Sequence, residues 1–106
     1  MNRNELRERM FQAFDAAAPK LDGEVREAFL WILLGMYVDS RDHDQSHMNK
    51  TLLIVTRLCD PDRWKPGAAG RIIMVGEGVR RMLEPDMPAE WRSMFEEARQ
   101  WAGRRR

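Results

Sequence analysis

His43 and His47 lie four residues apart, with Asp39, Asp42 and Asp44 close by. On a helix that spacing sets two imidazoles on one side, an arrangement that can hold a divalent metal. The glutamate that a metalloprotease helix carries between its histidines is missing here. With two histidines in the whole chain, a metal-dependent phosphohydrolase set cannot be completed either. The segment reads as a solvated polar connection whose histidines help cap the helix that follows. No metal and no cofactor is assigned, and His43 and His47 stand only as the candidate ligands.

Other reactive groups are equally isolated. Ser40, Ser46 and Ser93 are not set in the glycine-flanked turn of a nucleophilic serine. Cys59 falls on the inner face of a helical segment, where a small buried hydrophobe is expected rather than a thiolate. The carboxylates occupy surface-facing helical positions, so none are paired in an apolar pocket for acid–base work. Neither Gly67 to Gly70 nor Gly76-Glu77-Gly78 completes a phosphate-cradling loop. The expectation is a non-enzymatic protein with no small-molecule substrate.

The arginines suggest a different chemistry. Residues 1–53 carry seven basic and nine acidic side chains, and residues 54–106 carry eleven and eight. Arg57, Arg71, Arg80 and Arg81 lie in the basic half, which ends in Arg104, Arg105 and Arg106. Folding could gather several of them into a phosphate-facing patch for nucleic acid. Glu77, Glu84 and Asp86 interleave with them, the pI is only about 8.0 and no helix-turn-helix signature is legible. Nucleic-acid binding is therefore the alternative reading.

Large apolar side chains point to protein binding. Four Trp and eight Met in 106 residues are many. Trp is enriched at interface hot spots, and Met suits adaptable contact surfaces. With every helical stripe turned inward, Leu30, Trp31, Leu34, Leu53, Ile54, Trp64, Ile73 and Met74 have no obvious seat. Trp31, Leu34, Trp64, Ile73 and Met74 are the expected partner-binding residues. A central second helix would absorb several of them within one monomer, and a homodimer through that helix would absorb them too.

Five helical segments must position these groups. The first spans about Asn2 to Ala18, with Asn2 as cap and Glu5 three residues on. Leu6, Met10, Ala13, Phe14 and Ala17 share one face, and Pro19 ends the segment. The second, Gly23 to Asp39 behind Asp22, carries its main stripe on Val25, Ala28, Phe29, Ile32, Leu33 and Met36. Its second half is apolar all round, which marks a central helix or a covered one. A third helix is expected over Ser46 to Cys59, stepping through Met48, Leu52, Val55 and Cys59. Residues 71–83 form a fourth, with Ile72, Val75, Gly76, Val79, Met82 and Leu83 on the inner face. Gly76 on that face would let a neighbouring helix approach closely. The last follows Pro88, carries Trp91, Met94, Phe95, Ala98 and Trp101, and stops at Gly103. The fold class is all-α, a compact bundle of about five helices with the second central. The alternative is α+β, with short strands near residues 51–56 and 71–75.

Length limits what such a bundle can be. The chain of 106 residues makes one domain, residues 1–106, with a short basic tail at 103–106. One cysteine excludes a disulfide framework, and 33% charged residues with 43% apolar ones exclude a disordered chain. The longest uncharged run, Ala28 to Val38, is eleven residues, against about 20 for a membrane span. The charged start, Met1-Asn2-Arg3-Asn4-Glu5, has no apolar segment of a signal peptide. A cytoplasmic setting is expected, in a bacterial cell or a viral host. The functional expectation is an adaptor, accessory subunit or stand-alone inhibitor of a larger complex; a phage- or plasmid-borne inhibitor would fit, though no residue demands it.

Overall fold

Asn2 opens the chain in an extended conformation, and its Oδ1 accepts the Glu5 backbone N–H at 2.8 Å. That cap starts α1 (Arg3–Ala17), whose buried seam is Leu6, Met10, Phe14 and Ala17. A 3-10 turn at Ala18–Lys20, built around Pro19, leads through Leu21 to α2 (Gly23–Asp39). Three more helices follow: α3 (Gln45–Leu58), α4 (Ala68–Leu83) and α5 (Ala89–Arg104). A computed structural model describes residues 1–42 and 44–104 of the chain, the side chains of 42 and 101–104 excepted.

The second helix is the axis of the bundle. Val25, Ala28, Phe29, Leu30, Trp31, Leu33, Leu34 and Tyr37 are all buried, so nearly every side of α2 is covered. One flank is taken by α4, while α1 and α5 close the others. Aromatic rings make the joints: Trp31 lies 4.1 Å from Phe95 of α5, and Phe29 lies 5.8 Å from Trp64. Tyr37 meets Trp91 at 5.3 Å between ring centres. The radius of gyration, 13.2 Å, is that of a single packed unit of about 100 residues.

Both segments that could have been strands are helical. In α3, Thr51 and Val55 are buried one turn apart, and Thr56 Oγ1 bonds back to the Leu52 carbonyl at 2.9 Å. The three-and-four spacing of apolar positions outweighs the β-branched composition of this stretch, because only a helix puts them all on the core side. The segment at 71–75 belongs to α4, which starts earlier than its apolar stripe suggests. Gly67, at φ 85°, turns the chain into it.

The closest helix contact is between α2 and α4. A Cβ at Gly76 would lie 2.5 Å from the Ala28 carbonyl oxygen and 2.7 Å from the Ala28 Cβ. The two backbones touch there, as the sequence anticipates. At the far end, α5 is helical through Arg104, one residue past the glycine expected to stop it.

Candidate functional site

Two of the expected contact residues belong to the core. Trp31 is 1% exposed and Leu34 0%, since α2 is enclosed by its neighbours instead of lying at an edge. This corrects their placement on a binding surface. Trp64 is half-buried, donating its Nε1–H to the Leu58 carbonyl at 2.9 Å. Ile73 is also half-buried and lines a small cavity of about 150 Å³ beside Trp31, Gly76 and Glu77. Met74 alone of the five is open to solvent, at 72%.

Met74 has neighbours that the helical wheel had turned inward. Val75 is 53% exposed and Met82 69%, both on the outer side of α4. The spacing predicts an inner stripe of six residues on α4, but the helix buries a narrower band around Gly76, leaving its edge outside. Beside Val75 and Met82 an open groove of about 480 Å³ runs between α2 and α4, floored by Ile32, Met36, Val38 and Val79. A second hollow of about 230 Å³ shares Ile32 and Val75 and reaches Trp64 and Leu58. The result is a continuous apolar surface from the end of α3 along α4. On α3, Leu53 and Ile54 are about half exposed, in keeping with their lack of a seat in the sequence.

Two of the candidate arginines on α4 are engaged with acidic neighbours. Arg80 Nε lies 2.7 Å from Glu84 Oε2 and its Nη1 3.6 Å from Glu77, while Arg81 reaches Glu77 at 3.7 Å. These bonds hold the Arg80 guanidinium above its usual range and the Glu84 carboxyl below its own. Arg71 and Arg80 are nine positions apart, which at about 100° per residue places them on opposite sides of α4. Arg57 is exposed near the end of α3. The candidate nucleic-acid residues are thus spread over different faces. Arg105 and Arg106, and the side chain of Arg104, lie outside the described residues.

The reactive side chains are held in structural settings. Burial pushes the Cys59 thiol up to about 12, so it is protonated near neutral pH. Ser40 is buried, donating to the Tyr37 carbonyl at 2.7 Å and accepting from Arg3 at 3.2 Å. Asp44, not a histidine, caps α3: its Oδ1 accepts the His47 N–H at 3.0 Å. His47 Nε2 stands 4.0 Å from Asp39 Oδ2. Among the described residues no three His, Cys, Asp or Glu side chains are grouped to hold a metal, and His43 lies outside them. Sequence reasoning missed Arg26, which is buried on α2 between α1 and α5. Desolvation lowers its pKa, with Glu97 and Asp15 opposing the shift.

Among the described residues no helix is long and apolar enough to cross a membrane. No family model matches the chain, and no curated protein or solved structure proves similar to it.

Proposed function

We propose that this chain is a non-enzymatic protein-binding module, an adaptor, accessory subunit or inhibitor of a larger complex, that acts through the outer face of α4. The observation that carries the reading is the exposure of Val75 and Met82 at an apolar groove, with Met74 exposed on the same helix. Flexible thioethers around an open hollow accommodate an incoming apolar side chain. Arg71 and Arg81 stand on the same helix as a charged rim that would steer approach. A cytoplasmic setting, bacterial or in a viral host, accords with a single cysteine kept as a half-buried thiol.

Affinity capture from a lysate of the source organism or its host, with and without nuclease, tests the reading. The bait is the wild type beside Met74→Glu/Met82→Glu. A stoichiometric protein, untagged copies of this chain included, should survive nuclease and be lost with the double variant. Prey that vanishes with nuclease, or that binds the double variant equally, contradicts it. A nucleic-acid binder would instead lose retention steeply with salt, and Arg80→Ala/Arg81→Ala would flatten that dependence.

A further inference from the structure

We infer that the occupant of the α4 face is a second copy of this chain, packed antiparallel across a two-fold axis through Gly78. This rests on the protein-binding reading above and names its partner. Gly78 is exposed, and a Cβ built on it meets nothing within 4 Å. A second helix backbone can therefore come close at this point, as α2 does at Gly76 on the inner side.

The residues around Gly78 are self-complementary. An α-helix turns about 100° and rises about 1.5 Å per residue. The positions four before and four after Gly78 therefore lie about one turn to either side of it and about 40° to its left and right. These positions are Met74 and Met82, the two most exposed large apolar side chains among the described residues, at 72% and 69%. A two-fold axis through Gly78 sets Met74 of each copy against Met82 of the other. On the groove side, the axis brings Val75 of the second copy alongside Met82, part of that groove's lining. On the opposite flank, the stem of Arg81 comes alongside Met74 of the other copy.

Charge selects the antiparallel direction. Arg71, near the start of α4, is exposed and has no ion-pair partner among the described residues. Seven positions beyond Gly78 is Pro85, in the turn Glu84–Asp86, where Glu84 is engaged with Arg80 and Asp86 is exposed. The antiparallel pairing puts each Arg71 against that acidic turn of the other copy and opposes the two helix dipoles. A parallel pairing would stack Arg71 on Arg71 and the acidic turns on each other. The contact is isologous, so it closes on itself as a dimer.

The test uses the full chain. Sedimentation of the wild type should give twice the 12.5 kDa of one chain, and Met74→Glu/Met82→Glu should return it to a single chain mass. In a Cys59→Ser background, Met74→Cys and Met82→Cys are oxidised separately and as an equimolar mixture. Across the proposed axis the two Met74 positions are offset by about 12 Å along the helices, beyond the reach of a disulfide of about 7 Å. The mixture should therefore give at least about tenfold more disulfide-linked dimer than either protein alone. Equal cross-linking by either single variant, or a wild type of one-chain mass at every concentration, overturns the inference. If that single chain still captures a protein that Met74→Glu/Met82→Glu loses, the second copy alone is wrong. If it captures none, the protein-binding reading fails as well.

Discussion

Gly76 and Gly78 sit two positions apart on α4 and face opposite surroundings. A methyl group at Gly76 would press on the Ala28 backbone, which cannot move without shifting α2. Gly76→Ala should therefore cost about 1–3 kcal/mol, the range of an overpacked core. Gly78→Ala meets open space and should raise stability by about 0.5–1 kcal/mol through helix propensity when measured on dilute protein. Chemical denaturation of the two variants checks the pair, and equal effects would contradict the close approach of α2 and α4. Trp31 carries a related test. Its indole packs on Phe95, and its buried Nε1–H has no acceptor among the described residues. Trp31→Phe should hold within about 1 kcal/mol of wild type, while Trp31→Ala should lose about 3–5 kcal/mol. A Trp31→Ala protein that melts like the wild type would return this residue to the surface.

At the scale of elements, the helices that declared themselves by caps and seams are those the sequence located best. Asn2 with Glu5, and Asp22 before an apolar run, mark the starts of α1 and α2 to within a residue or two. Period alone also separates helix from strand at 51–56, since Met48, Thr51 and Val55 need one face. What the wheel could not supply was the number of neighbours around each helix. It left Trp31 and Leu34 without a seat because it could not show that α1, α4 and α5 together enclose α2. It turned Val75 and Met82 inward because the width of the band that α4 buries depends on how closely Gly76 seats it. The half-exposed edge of α4 is the part of the candidate site that sequence hid. Substitution there should leave the fold alone: Met74→Glu/Met82→Glu should stay within about 0.5 kcal/mol of wild type when dilute protein is melted. A larger loss would show that these methionines hold the bundle together and do not face a partner.

At the scale of the molecule, five helices bury one core and leave a long apolar face on α4 and its groove. The two buried methionines and the two open ones on α4 report on this directly. Met10 and Met48 lie in the core, and Met74 and Met82 stand in solvent on one chain. Peroxide footprinting of the eight methionines, read by mass spectrometry, compares dilute protein with concentrated protein and with protein in cell lysate. The account predicts that Met74 and Met82 oxidise fast when dilute and become protected together when the chain is concentrated or in lysate, while Met10 and Met48 stay slow throughout. Met74 and Met82 oxidising at one unchanged rate in all three settings would contradict it, because the face would then never be covered.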